Sequence, residues 1–147
     1  MLEHVNFFNH AGFLLATVGR MAESAWGSFV RSEGLTTAEF TVLAVLERGP
    51  KIQKDLARAA GVDRRNMVAT VARLAAAALI SERHGAGDRR TKSLALTPKG
   101  QARMTAVEQA LVSRRAAFFG ALNNAERNQL TRLLRKLRDA ADKAESS

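Results

Sequence analysis

The sequence predicts a mainly α-helical fold that carries one small β-hairpin. Apolar residues recur at three- and four-residue spacing along most of the 147 residues, and the period falls to two only between Ile80 and Leu96. Both prolines, Pro50 and Pro98, stand where the period changes, so they bound elements and not domains. With 46% hydrophobic and 25% charged residues, the chain fits one soluble unit, 1–147, with a single core.

The first helix is predicted from Val5 to Val30, where Leu14, Val18, Met21 and Ala25 form one apolar row and Leu15, Trp26 and Phe29 widen it. Gly34 can close it. Thr36-Thr37-Ala38-Glu39 fits a capping box, in which a hydroxyl and a carboxylate each satisfy an orphan N–H, and Phe40, Leu43 and Leu46 carry a second helix to Gly49-Pro50. A short helix follows from Gln53 to Ala60, with Leu56 and Ala57 inward and Gly61 supplying the left-handed turn that ends it. Asp63 can cap the next helix, 63–78, which is predicted to turn Val68, Val71, Ala75 and Leu79 inward and to keep Asn66, Ala69, Thr70 and Arg73 along another face.

Two strands, Ile80 to His84 and Ser93 to Leu96, flank a seven-residue loop, 85–91, that holds two glycines and the pair Arg89-Arg90 at its tip. Thr97-Pro98 supplies an N-cap and a first helical position for a long helix to about Leu122. Asn123 to Glu126 can cap a last helix, whose Leu130, Leu133, Leu134, Leu137, Ala140, Ala141 and Ala144 form a near-heptad stripe. Two helices joined by a Gly-containing turn, with a hairpin behind them, make a winged helix-turn-helix.

The formal charge of +9 comes from 23 basic and 14 acidic residues, and it is unevenly placed. Residues 1–50 are net −2, residues 51–100 net +7 and residues 101–147 net +4, so the middle third is the expected contact surface for a polyanion. The absence of Cys excludes disulfides, thiolate catalysis, Cys-ligated zinc and thiol redox sensing. There is no phosphate-cradling glycine loop and no His-Glu-x-x-His, and His4 and His10 would fall on opposite sides of a helix. No catalytic residue, metal or cofactor is therefore expected. The longest run without a polar residue, Leu74 to Ile80, is far short of the roughly 20 needed to cross a bilayer. Glu3 also stands where a signal peptide would carry a cation, so the expectation is a cytoplasmic chain with no membrane partner.

Double-stranded DNA is the polyanion that this organisation fits. A helix about 10–12 Å across enters a major groove about 12 Å wide if its leading face carries no bulky apolar group. The 63–78 helix is expected to meet that condition, with Arg64, Arg65 and Asn66 in its first turn, where free N–H groups and the helix dipole also favour phosphate. Arg can pair with guanine and Asn with adenine, so Arg64, Arg65, Asn66, Thr70 and Arg73 are the base or near-base candidates, and the sequence leaves open which of them touch bases. Lys51, Lys54 and Arg58 suit phosphate contacts that position the duplex without reading it. At the hairpin, Arg89 or Arg90 can enter a minor groove, Asp88 can orient one of them by a charge-assisted pair, and Lys92 completes the basic set. The alternative is an architectural protein that coats any duplex through counterion release; a module acting only on other proteins is a third reading.

These residues resemble the MarR (multiple antibiotic resistance regulator) family of winged-helix transcription regulators. The resemblance spans almost the whole chain: an N-terminal helix, Leu35 to Leu46, Asp88-Arg89-Arg90 followed by Leu96-Thr97 and Gly100, and two C-terminal helices. Its most specific part is Asp-x-Arg followed by Leu-Thr-x-x-Gly. The resemblance implies a DNA-binding lobe, 35–97, and a homodimer built from 1–34 and 98–147. It implies a repressor on a pseudo-palindromic operator, with one recognition helix in each major groove and a wing in the flanking minor groove. Arg90 is then the minor-groove arginine, Asp88 its orienting partner, and Arg64 to Arg73 the recognition face. One departure is that Ala78 stands where members usually have Gly before Leu-Ile, so a positive φ there would be strained.

The resemblance also implies an effector pocket between the dimer helices and the DNA-binding lobe, with a small aromatic ligand that releases the protein. His10, Phe13, Met21 and Phe40 are the candidates to line it, and plain core is the alternative reading of aromatic and Met residues at helical spacing. The dimer has a separate argument. The first and last helices carry more apolar face than a core of this size needs, and burial between two chains removes the excess from water. Two recognition helices would then lie about 34–36 Å apart, one turn of DNA. A monomeric bundle is the alternative.

Overall fold

The computed structural model describes residues 6–85 and 88–146, and the side chains of all of these but 85, 88–91, 115 and 116. A short 3-10 turn, Phe7–Asn9, leads into α1 (Ala11–Ser32), followed by α2 (Thr37–Leu46), β1 (Lys51–Ile52), α3 (Gln53–Ala60), α4 (Arg64–Ala76), β2 (Ile80–Gly85), β3 (Asp88–Leu96), α5 (Pro98–Phe119) and α6 (Asn124–Glu145). The chain divides into two compact units, Met1–Leu111 and Val112–Ser147. The winged helix-turn-helix lies within the first of them.

Local chemistry sets the element ends. Helix α1 starts at Ala11, later than its apolar period predicts, because His10 is extended and accepts the Gly12 N–H on its Nδ1 at 3.2 Å. The capping box of α2 is present in both directions: Glu39 N donates to Thr36 Oγ1 at 3.1 Å, and Thr36 N donates to Glu39 Oε2 at 3.0 Å. Gly61 ends α3 at φ 63°, as its position between two short helices requires. Asp63 caps α4 by accepting the Asn66 N–H at 2.9 Å.

The sheet has three antiparallel strands in the order β1-β3-β2. Its first strand was not expected, since Lys51 and Ile52 alone carry no period; they pair with Leu94 and Ser93 of β3, some forty residues on. The hairpin is also tighter than its sequence suggests. β3 begins at Asp88, which pairs with Gly85, so the backbone of Asp88, Arg89 and Arg90 belongs to a strand and not to a seven-residue loop. Cross-strand pairing over Ile80↔Leu96 to His84↔Lys92 extends the ladder into this polar stretch.

One apolar core serves the first unit. Val30 of α1, Val42, Leu43 and Leu46 of α2, Leu56 of α3, Met67 and Leu74 of α4, Ile80 and Leu94 of the sheet, and Met104 and Val107 of α5 are all buried together. Trp26 meets Phe40 edge-on with ring centroids 5.0 Å apart. Helix α4 is turned differently from the expectation. Its buried residues are Met67, Thr70 and Leu74, while Val68 points outward and is 56% exposed. The inward row is thus shifted from the predicted one, with Val68 and Ala75 exposed, although Val71 packs partly buried against the core and Leu79 is buried, both as expected.

The end of α4 is stitched to the start of α5. Ala78 adopts φ 58°, the left-handed conformation that disfavours a Cβ, and Leu79 N donates back to Leu74 O at 3.0 Å. The carbonyls that this turn exposes each find a donor. Lys99 Nζ donates to Ala77 O at 3.0 Å, Thr97 Oγ1 to Ala78 O at 2.6 Å, and Thr97 N to Leu79 O at 3.1 Å. Thr97 Oγ1 also accepts the Gly100 N–H at 3.0 Å, which caps α5. Gly100 lies so close that a Cβ there would stand 2.1 Å from Leu79 O. The Leu-Thr-x-x-Gly pattern therefore has a physical reason: Thr supplies the cap and Gly admits the neighbouring carbonyl.

In the second unit α6 opens on a capping box, with Glu126 N donating to Asn123 Oδ1 at 2.8 Å and Asn123 N donating to Glu126 Oε1 at 3.0 Å. Its Leu133, Leu134 and Leu137 are exposed in the single chain. On α1, Phe13, Leu14, Leu15, Val18 and Met21 are exposed as well.

Candidate nucleic-acid interface

The outward side of α4 is built from what the core does not take. Arg64, Arg65, Asn66, Val68, Ala69, Ala72, Arg73, Ala75 and Ala76 are exposed, so the face carries cations in its first turn and, beyond it, alanines together with Val68 and Arg73. Asn66 gives its backbone N–H to Asp63, which leaves its side-chain amide at the surface. On α3, Leu56 is buried while Lys54 and Arg58, four residues apart and therefore neighbours along one side, are exposed. Lys51 is half-buried in β1. Lys92 is exposed on β3, 4.0 Å from Glu82 across the hairpin.

One of the expected contact residues is shut off from this face, and a second is tied to a partner within the lobe. Thr70 is 0% exposed: it sits in the inward row with Met67 and Leu74 and cannot reach a ligand. Arg73 is half exposed and paired with α2. Its Nε donates to Glu39 Oε1 at 2.7 Å, with Glu39 11% and Arg73 50% exposed at the side chain, and its Nη2 lies 3.4 Å from Thr70 Oγ1. Glu39 thereby does two jobs, closing the N-terminus of α2 with one oxygen and gripping α4 with the other. The roles expected for Asp88, Arg89 and Arg90 fall on side chains outside the described residues.

Sequence reasoning missed Val68. The available signal was the competition of two apolar rows, Met67-Thr70-Leu74 and Val68-Val71-Ala75, which cannot both be wholly buried; Val71 alone of the second row packs against the core. Of the effector candidates, His10 caps α1 and is exposed, Phe13 and Met21 are exposed, and Phe40 packs on Trp26. A cavity of about 380 Å³ in the first unit is lined by other residues, among them Leu35, Glu39, Arg73, Lys99 and Arg103. Among the described residues no group of three or more His, Asp or Glu could hold a metal ion, and no helix is long and apolar enough to cross a membrane.

Comparison with known proteins agrees with this geometry. The family model described as MarR family matches residues 33–91. A protein of Thauera aromatica, described as a transcriptional regulatory protein for the hcr operon, is 33% identical over 141 residues, covering 92% of this chain and 83% of that protein. The HTH-type transcriptional repressor NicR of Pseudomonas putida is 33% identical over 111 residues, 75% of this chain and 70% of NicR. Among solved structures, BpsR of Bordetella bronchiseptica, whose DNA binding is regulated by 6-hydroxynicotinic acid, superposes with a TM-score of 0.68 at 30% identity over 86% of this chain and 97% of BpsR. With a winged helix-turn-helix in its first unit and regulators as relatives along nearly its whole length, the chain belongs to the MarR family of transcriptional regulators.

Proposed function

We propose that the chain is a homodimeric repressor, acting in the cytoplasm, that binds a pseudo-palindromic operator and is released by a small aromatic ligand. Helix α4 enters the major groove, Arg64, Arg65 and Asn66 meet base edges or the nearest phosphates, and Lys51, Lys54, Arg58 and Lys92 neutralise the backbone around it. The observation that carries this reading is the outward face of α4, basic in its first turn and mostly alanine beyond. Such a face admits a duplex closely while the opposite row anchors the helix in the core. The hairpin β2–β3 is the wing, with Arg90 in the flanking minor groove and Asp88 and Arg89 beside it.

The dimer is supported by the exposed apolar rows of α1 and α6, which in one chain would leave Phe13, Leu14, Val18, Leu133 and Leu137 in water. NicR, a repressor, supports the sense of regulation, and BpsR supports an aromatic effector. His10, Phe13 and Met21, open to solvent on α1, stay candidates for its lining, and Phe40, taken up by Trp26, is the weakest of the four.

Selection of preferred duplexes from a random pool at physiological salt tests the reading. The expected result is a two-fold symmetric consensus with half-site centres about 10–10.5 base pairs apart. Binding without any consensus, with affinities that fall alike for all duplexes as salt rises, would assign the chain to architectural coating instead. No binding at low salt would remove DNA altogether.

A further inference from the structure

We infer that Val68 is a specificity residue that reads the C5-methyl group of a thymine. The inference rests on the operator-binding reading above and adds to it a base and an atom. Along α4, Arg64, Val68, Ala72 and Ala75 follow one another at spacings of four, four and three, and at 100° per residue Val68 lies at the middle of that row with Arg65 beside it. Val68 is 56% exposed and points away from the Met67-Thr70-Leu74 row. It is the one exposed apolar side chain of α4 larger than a methyl group; every other apolar position on that side is alanine. Nothing in the fold asks for it, because a β-branched residue is a poorer helix former than alanine and this one buries little.

The two ends of the base-pair alphabet explain what such a residue selects. In the major groove, guanine and adenine offer acceptors and cytosine an amino donor, each of which needs a polar partner, whereas thymine places a methyl group at C5. A side chain of two methyl groups flanked by two guanidinium groups leaves the polar edges to Arg64 and Arg65 and meets an apolar edge between them. Cytosine at the same place carries only a hydrogen at C5, so the methyl contact is lost.

The test uses the consensus duplex from the random pool. Each thymine in turn is replaced by deoxyuridine, which removes the C5-methyl group and leaves base pairing intact, and affinity is measured by fluorescence anisotropy for the wild-type chain and Val68→Ala. One thymine per half-site is expected to matter: its replacement should weaken wild-type binding by about four-fold, the value for one buried methyl-sized group. The same replacement should leave Val68→Ala unaffected, while Val68→Ala, which loses the contact in both half-sites, should itself lose about sixteen-fold on the thymine duplex and about four-fold on the singly substituted one. Val68→Ile, which keeps an apolar side chain, should retain the dependence on the methyl group. If the wild-type chain finds a consensus yet no deoxyuridine weakens it, or the loss persists undiminished in Val68→Ala, the assignment to Val68 is overturned while operator binding stands. A pool that yields no consensus overturns both. Val68→Ala favours the helix, so thermal unfolding no lower than that of the wild-type chain confirms that affinity, and not folding, has been lost.

Discussion

Gly100→Ala should be among the most damaging single-methyl additions in the first unit. The new Cβ would stand 2.1 Å from Leu79 O, 3.0 Å from Leu79 C and 3.1 Å from Leu96 Cδ2. The Leu96 methyl can turn aside, but the carbonyl cannot: Leu79 is buried, follows the left-handed Ala78 and accepts the Thr97 N–H. Relief therefore requires the start of α5 to lift by about an ångström, which breaks the bonds from Thr97 N, Thr97 Oγ1 and Lys99 Nζ to the three carbonyls of the turn. At about 1 kcal/mol for each hydrogen bond and about 1–3 kcal/mol for overpacking, less about 1 kcal/mol gained from the better helix propensity of alanine, the net cost is about 3–5 kcal/mol. Urea unfolding followed by circular dichroism would show this as a midpoint lowered by roughly 2 M at an unchanged slope. Gly27→Ala supplies the contrast, since its Cβ would meet only the flexible end of Arg31, at 3.1 Å. That change should be neutral or stabilise by up to about 1 kcal/mol. Equal stability of Gly100→Ala and the wild-type chain, within about 1 kcal/mol, would refute the reasoning about the stitch between α4 and α5.

Four further changes probe the lobe. Ala78→Gly removes a Cβ from a residue at φ 58° and should stabilise by about 0.5 kcal/mol after the greater freedom of glycine in the unfolded chain is subtracted; a lowered unfolding midpoint would contradict the assigned strain. Arg73→Ala should cost about 1–2 kcal/mol of stability, because Glu39 loses a charge-assisted partner that is half open to solvent, and should leave base preference intact; an altered consensus at unchanged stability would return Arg73 to the contact face. Arg65→Ala should weaken operator binding by about 1–3 kcal/mol and relax preference at one position per half-site, whereas a loss equal on all sequences would reassign it to phosphate. Arg90→Ala should weaken binding most on duplexes with A·T-rich flanks, and equal affinity in a gel-shift titration would take the wing out of the complex.

What the sequence disclosed was what neighbours decide. The capping boxes at Thr36 and Asn123, the left-handed Gly61, and Thr97-Pro98 at the head of α5 depend on contacts within a few residues, and each is found where its motif stands. The left-handed turn at Ala78 was anticipated from the family resemblance, whose members usually carry Gly there. The strand β1 was hidden because two residues make a strand only when β3 is there to pair with them. The extent of the hairpin was hidden likewise: Asp88-Arg89-Arg90 is turn-like in composition, and pairing draws it into the ladder.

The phase of α4 is the instructive miss. Met67-Thr70-Leu74 contains a hydroxyl and Val68-Val71-Ala75 does not, so hydropathy favours the wrong row. Thr70 is acceptable inside because Arg73, turned in by Glu39 thirty-four residues earlier, lies near its hydroxyl. Among the proposed contact residues, the exposure of Arg64, Arg65 and Asn66 was legible because they precede the region where the two rows compete, and the burial of Thr70 and the pairing of Arg73 with Glu39 were not because they lie within it.

The division of α4 into two sides with no residue in common has an evolutionary consequence. Met67, Thr70 and Leu74 hold the helix in place, while Arg64, Arg65, Val68, Ala69 and Ala72 leave the fold indifferent to their identity. Under the proposed operator-binding reading, descendants of such a chain can exchange one set of target promoters for another by redrawing a few surface letters, with the scaffold beneath inherited unaltered.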